Sequence, residues 1–180
     1  MKFAFAAFAA TATLTFGLTA AMAAHAEDVP LNQPNAGAWN VYGAGQTVKD
    51  FRDNDVQGGG GKRVTVANAT VNTYDIGANV EIDKPYKKGD ALMFAVYLKL
   101  ESKDPNATVD IPATIQINQA PYTAVVQGTV TVTTSWSLVY INGTADKDYA
   151  GKGATVAALS LGGQPKVIDL GPAFVLDQGQ

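Results

Sequence analysis

The residue types needed for nucleophilic or transition-metal chemistry are nearly absent from this sequence. The chain has no cysteine, and its one histidine, His25, lies within a stretch that has the pattern of a removable export signal. A mature chain without either residue type cannot form a Ser-His-Asp triad or a Cys-His pair. It also cannot form the His- and Cys-rich sites that hold zinc or copper. Only oxygen ligands remain, and these suit calcium or magnesium.

Carboxylates are the remaining basis for catalysis. Glu81 and Asp75 share one face of a predicted strand, and glycosidases use two carboxyl groups about 5 to 10 Å apart. The chain has few glutamates and is small for a hydrolase cleft, so we interpret it as non-enzymatic. Asp50, Asp53 and Asp55 also lie close together. Their spacing does not match a calcium-binding EF-hand loop, and we interpret them as a solvated turn.

Tyrosines and amides on strand faces predict a different chemistry, the binding of sugars. A sugar ring presents apolar C–H faces and a belt of hydroxyl groups, which aromatic rings and planar amides can contact. Strand parity places several such side chains opposite the apolar face, and Gly77 would open a groove floor between them. The candidate ligand-binding residues are Tyr74, Asn79, Tyr97, Gln116, Asn118 and Tyr122.

Each candidate also has a structural alternative. Tyr74 shares the parity of Ile76 and could cap the core, and Tyr97 could be an ordinary cross-strand tyrosine. Gln116 and Asn118 could simply form the solvated face of a strand. Trp39 and Tyr42 fit either a groove rim or core closure, and Trp136 is expected in the core.

The elements that would position these residues are strands. Beyond residue 38 the hydrophobic period is two, and valine and threonine dominate. Turn signals such as Lys88-Gly89-Asp90 and Asn142-Gly143 separate the apolar runs at fairly even spacing. The predicted strands cover about 63–67, 76–82, 91–100, 114–119, 125–133, 136–142, 154–161, 165–170 and 173–177. This pattern predicts an all-β, antiparallel two-sheet β-sandwich, either Ig-like or a jelly roll.

The N-terminus predicts export. Lys2 precedes an apolar run that closes on Ala24-His25-Ala26, a small-x-small cleavage pattern. We therefore predict a signal peptide over 1–26 cleaved after Ala26, an extended leader over 27–38, and one sandwich domain over 39–180. The expected location is secreted or periplasmic.

The charge balance argues against two classes of partner. Lys2 is one of the 13 basic residues, so cleavage leaves 12 against 16 acidic residues, a net charge of −4. Such a chain lacks the basic surface that nucleic acids require. No second apolar span or amphipathic helix is evident beyond the leader, so we expect no membrane insertion.

Six motifs occur in a definite order along the chain. They are Val56–Val64 with its four glycines, Asn72–Ile76, Lys88-Gly89-Asp90 followed by Phe94–Lys99, Pro121-Tyr122-Thr123, Thr134-Ser135-Trp136, and Leu161–Gln164 followed by Val167–Pro172. In this order they resemble the jelly-roll carbohydrate-binding modules of families four, nine and twenty-two, which accompany xylanases and glucanases. The resemblance covers about residues 39–177. Tyr74 and Tyr97 stand where these families usually have tryptophan.

The resemblance implies a jelly roll that binds a plant or bacterial polysaccharide, xylan-like or glucan-like, without catalysis. It implies no required cofactor, although some members hold a structural calcium near the first and last strands, where Asp169 and Asp177 are the nearby acids. The alternative is a secreted structural or adhesive domain with a secreted protein partner. Sugar binding predicts exposed aromatics in a groove, whereas adhesion predicts a flat apolar patch.

Overall fold

A computed structural model of the chain describes residues 28–180. The predicted signal peptide and its cleavage site lie outside these residues. The strands are β1 (Val29–Pro30), β2 (Asn40–Tyr42), β3 (Gln46–Arg52), β4 (Gly60–Val66), β5 (Gly77–Glu81), β6 (Ala91–Leu100), β7 (Thr108–Ile117), β8 (Ala124–Thr133), β9 (Ser137–Thr144), β10 (Thr155–Ser160) and β11 (Lys166–Asp177). Two 3-10 turns cover Ala36–Ala38 and Thr73–Asp75.

The strands form two antiparallel sheets packed face to face. One sheet has the order β3-β4-β11-β6-β9, with β1 added beside the end of β11, and the other has the order β2-β5-β10-β7-β8. Strand alternation produces the core between them: Ala78 and Val80 are buried while Asn79 between them faces outward. The predicted two-sheet β-sandwich is confirmed.

Two predicted strands are one in the structure. The segments predicted at 165–170 and 173–177 form the continuous β11, which pairs with β6 on both sides of a register shift between Leu170 and Ala173. Gly171 and Pro172 lie within that shift, and a bulge is where a strand tolerates proline, because proline has no N–H to donate. Gly171 and Pro172, which predict a turn in the sequence, therefore mark an irregularity within one strand.

The predicted leader packs against the sandwich. Leu31 is buried, and the Asn32 side chain donates to the Ala173 carbonyl (3.0 Å) and accepts from the Val175 N–H (2.8 Å). The amide of Asn32 thus satisfies β11 in the gap between its pairing with β4 and its pairing with β1. Residues 29–38 are part of the folded unit described here.

Trp136 is not in the core. It lies half-buried on the outer face of the six-stranded sheet, stacked on Phe51 at 6.3 Å between ring centroids, and its indole N–H donates to Asp53 (2.9 Å). This bond, together with one from the Asp55 backbone N–H, lowers the pKa of the Asp53 carboxyl. The expectation of a core tryptophan was wrong because Trp136 precedes β9 and projects from its outer side.

A buried carboxylate lies on the same outer face. Asp169 is fully buried, and both of its oxygens accept from the Arg63 guanidinium at 2.7 Å. Glu101 contacts Arg63 (2.8 Å) and Lys99 (3.0 Å). Burial raises the pKa of Asp169, against the effect of Arg63, while Lys99 lowers the pKa of Glu101.

No helix within residues 28–180 is long and apolar enough to cross a membrane.

Candidate functional site

A groove of about 710 Å³ crosses the outer face of the five-stranded sheet. Its axis crosses adjacent strands, because Asn40, Asn79, Ala158 and Thr114 are register partners on β2, β5, β10 and β7. With about 4.8 Å between strands, this row is about 14 Å long. All four residues line the groove.

Small residues form the groove floor. Ala158 faces outward yet is only 5% exposed, because the flanking side chains rise above it. Ser160 lies one row away, opposite Gly77. The Tyr42 side chain lies across Gly77, where a Cβ atom would overlap with the Tyr42 hydroxyl group. Burial, with a smaller effect of Tyr122, raises the pKa of Tyr42. The Tyr42 hydroxyl can donate a hydrogen bond.

Two exposed tyrosines line the groove. Tyr74 is 64% exposed and sits in the 3-10 turn Thr73–Asp75. Asp75 fixes that turn by accepting from the backbone N–H (2.8 Å) and the side chain of Asn72. Tyr122 is 57% exposed and lies in the β7–β8 loop with a positive φ of 58°, and its N–H donates to the Gln119 carbonyl (2.8 Å). Both rings keep a face free to contact a ligand.

The groove amides are held by neighbouring groups but keep free hydrogen-bonding capacity. Gln116 accepts from the Thr114 hydroxyl (2.8 Å), which leaves its NH₂ group available. The Asn118 NH₂ group donates to the Gly153 carbonyl (3.1 Å), which leaves its oxygen available. Asn40 and Asn79 approach each other at 3.5 Å, the limit of a weak hydrogen bond.

The groove continues into a second depression of about 500 Å³. The two share Asn40, Asn79 and Asn118, so they form one continuous surface. We call the first part the tyrosine half and the second part the amide half. The amide half is lined by Asn32, Gln33, Asn35, Ala38, Asn40, Asn79, Val80, Glu81, Asp83 and Asn118.

The structure brings together all of the predicted ligand-binding residues except Tyr97. Tyr74, Asn79, Gln116, Asn118 and Tyr122 line the tyrosine half. Tyr97 lies on β6 of the other sheet, where its ring meets Phe174 edge-on at 6.4 Å between centroids. Parity indicated correctly that Tyr97 faces outward, but parity cannot tell which of two sheets a strand joins.

Sequence reasoning did not assign Asn40, Thr114, Pro121, Ala158 or Ser160 to the groove, and left Tyr42 undecided. Asn40 and Tyr42 alternate with Val41, which is a weak signal for an outward face. Nothing local indicates that β2 pairs with β5 or that β10 supplies the floor, since these pairings join residues far apart in sequence.

Asp169 and Asp177, the acids expected near a structural calcium, have separate surroundings in the structure. Both oxygens of Asp169 are taken by Arg63, and Asp177 accepts from the Gly179 N–H (2.8 Å). Eight residues of one extended strand separate them, about 26 Å. Asp50 pairs with Lys62 (2.8 Å) and Asp53 with Trp136. Within residues 28–180 no cluster of three or more potential metal-ligating side chains occurs.

Comparison with solved structures identifies the architecture. The second N-terminal cellulose-binding domain of Cellulomonas fimi β-1,4-glucanase C superposes with a TM-score of 0.61 at 15% identity, covering 86% of this chain and 98% of that one. A CBM4 structure gives a TM-score of 0.56 at 21% identity, covering 84% and 92%. The chain has the carbohydrate-binding-module jelly roll. A CBM22 xylan-binding domain from Paenibacillus barcinonensis shares this fold, with a TM-score of 0.55 at 13% identity, covering 85% and 94%.

The jelly roll predicted from the order of motifs is thereby confirmed. At these identities the likeness shows the carbohydrate-binding-module fold rather than a shared ligand. No protein-family model matches the sequence, and no curated protein matches it significantly.

Proposed function

We propose that this protein is an exported, non-catalytic module that binds a xylan-like or glucan-like polysaccharide in the groove of the five-stranded sheet. The observation that carries the proposal is the composition of the tyrosine half. Exposed Tyr74 and Tyr122 lie beside a floor of small residues and a row of amides, with no charged side chain in the lining. Such a surface offers sugar rings both stacking faces and paired hydrogen bonds.

The fold supports this proposal. Solved structures with the same jelly roll include a cellulose-binding domain and a xylan-binding domain. Asp75, one of the two carboxylates that could act in catalysis, accepts two hydrogen bonds from Asn72 in the capping of its turn. Binding through stacking and amides needs no cofactor.

The first experiment compares two tyrosines of similar exposure, one in the groove and one on the outer face of the other sheet. The exported protein, whose intact mass is expected to place its N-terminus at Glu27, is run in native gels containing xylan, mixed-linkage glucan, laminarin or a cellulose derivative. We expect retardation by at least one glycan, with affinity roughly tenfold lower for Tyr122→Ala because one stacking contact is lost.

Tyr140→Ala is the matched control, since Tyr140 is 60% exposed on the six-stranded sheet and Tyr122 is 57% exposed in the groove. Retardation that is insensitive to Tyr122→Ala but lost in Tyr140→Ala or Tyr97→Ala would move the site to the other sheet. Absence of retardation on every glycan would contradict carbohydrate binding.

A second candidate function, protein association, is favoured by the outer face of the six-stranded sheet. A two-layer sandwich covers only one face of each sheet, yet β6, β9 and β11 carry apolar side chains on their outer side as well. Leu138 is 48% and Tyr140 60% exposed. The apolar face consists of Met93, Tyr97, Leu138, Tyr140, Phe174 and Leu176.

The apolar face predicts association of this domain with a second copy or with a secreted protein partner. Sedimentation velocity of the purified protein tests the first case over a range of concentrations. We expect any concentration-dependent dimer to be lost in Tyr140→Ser, because the substitution removes an exposed aromatic ring from the apolar face, and to be retained in Tyr122→Ala. A monomer at every concentration would exclude the second copy as the occupant.

A further inference from the structure

The charges along the groove are distributed unevenly. The tyrosine half has no charged side chain in its lining, whereas Glu81 and Asp83 line the amide half. Neither half is lined by a lysine or an arginine within residues 28–180. Lys147 and Lys152 line a separate depression that meets the groove only at Asn118.

The Glu81 carboxylate lies beside Gly153. It lies on the outer side of β5, two residues beyond Asn79 and directly opposite Val156 of β10. Gly153 adopts a φ of 74°, and a Cβ atom there would lie 3.2 Å from the Glu81 carboxyl carbon. The Gly153 carbonyl also accepts from Asn118. Gly153 therefore leaves room for the Glu81 carboxylate beside the Asn118 amide.

Neither carboxylate is neutralised by a neighbour in the part of the chain that the structure describes. No ion pair involving Glu81 or Asp83 occurs there within 4.0 Å, and both residues are exposed. A glycan that lies in the amide half must therefore pass two full negative charges. Carboxylates accept hydrogen bonds from sugar hydroxyls but repel a second carboxylate at short range.

We propose that Glu81 and Asp83 make the groove selective for uncharged glycans and against glycans that carry uronic-acid or carboxymethyl groups. This inference rests on the proposed function, and it assigns to two side chains a discrimination that stacking on tyrosines cannot provide. A ring stacks through its C–H face whether or not it carries a carboxylate, so the tyrosine half is indifferent to charge.

The test compares neutral and acidic forms of one backbone. Hydroxyethyl cellulose is paired with carboxymethyl cellulose, and arabinoxylan with glucuronoxylan, in affinity gels at about 20 mM and about 500 mM NaCl. For the backbone that is retained, we expect affinity for the acidic form to be about fivefold lower at low salt. The difference should shrink at high salt, because exposed charges are screened.

The variant Glu81→Gln/Asp83→Asn should bring the ratio of neutral to acidic affinity close to one. The matched control Asp55→Asn/Asp104→Asn removes the same two charges from loops outside the groove and should leave that ratio near the wild-type value. This control separates a local effect from the overall negative charge of the protein.

The outcomes distinguish this inference from the proposed function. Retention of a neutral glycan together with equal retention of its acidic form would overturn the charge selection and leave glycan binding intact. An unequal ratio that persists in the groove variant, or that falls equally in the loop control, would overturn the assignment to Glu81 and Asp83. Retention of an acidic glycan without its neutral form would overturn the charge selection alone. Failure to retain any glycan, neutral or acidic, would overturn both proposals.

Discussion

Replacing Ala158 with glutamine is expected to reduce glycan affinity at least about 50-fold while changing the free energy of unfolding by less than about 1 kcal/mol. Ala158 lies at the centre of the groove floor, between Asn79 on β5 and Thr114 on β7. A longer side chain there has only the groove to occupy, because the opposite side of β10 faces the core through Ala157 and Leu159. It would fill the space that the sugar rings need.

The measurement is titration calorimetry with the glycan retained in gels, together with urea unfolding of each variant. Thr129→Gln is the matched control, since Thr129 is an exposed residue of β8 in the same sheet that does not line the groove. Equal losses of affinity in the two variants would mean that the effect is not local. Full affinity in Ala158→Gln would show that the glycan binds elsewhere.

Replacing Arg63 with methionine is expected to lower the free energy of unfolding by about 3 kcal/mol at neutral pH. The reason is that Asp169, which is fully buried, would lose both of its 2.7 Å hydrogen bonds and remain as an uncompensated charge. This expected loss of stability is at the lower end of the range for breaking a buried ion pair. The reason is that the Arg63 side chain is 39% exposed, so water can reach the site. Urea unfolding followed by tryptophan fluorescence measures it.

The loss should depend on pH with a definite sign. Burial already raises the pKa of Asp169, and without Arg63 the pKa would rise further. A carboxyl whose pKa is higher in the folded state stabilises the fold below its unfolded pKa, and this stabilisation is lost as the pH rises through the folded pKa. The difference in the free energy of unfolding between wild type and Arg63→Met should therefore become smaller as the pH falls from 7 towards 4.

Two further variants isolate the cause. Lys49→Met removes a neighbouring positive charge from an exposed position on β3 and should cost less than about 0.5 kcal/mol. Arg63→Met/Asp169→Leu removes both charges and should recover most of the lost stability, since a buried ion pair can often be replaced by apolar residues. A double variant no more stable than Arg63→Met would mean that packing of the Arg63 stem, rather than the unpaired carboxylate, is responsible.

The division between the two sheets explains why the sequence resemblance indicated the fold more reliably than the site. Alternation assigns each side chain to the inside or the outside of a sandwich, and it did so correctly for Asn79, Gln116 and Tyr97. It does not say which sheet carries a strand. Tyr97 matches a motif position and faces outward, yet it lies on the sheet opposite the groove.

The features that could be predicted from the sequence are those that depend on residues close together in the chain. Period-two patterning with turn residues between the runs is enough to specify strands, because a strand buries one face and its connections need residues that tolerate tight turns. Tyr74 shows the limit of parity even at short range. Parity treats Tyr74 and Ile76 as members of one strand, but Tyr74 lies in the turn fixed by Asp75 and lines the groove.

The sequence by itself determined the all-β class, the strands from β4 onwards with β11 divided in two, and most of the side chains that face outward, because these depend on neighbours one or two residues away. The tertiary structure alone decided that β2, β5, β10 and β7 lie side by side, that Tyr42 covers Gly77, and that Glu81 and Asp83 continue the groove lined by Tyr74 and Tyr122. Those relations join residues that are dozens of positions apart. They follow from how two whole sheets bury their apolar faces together, which no local pattern records.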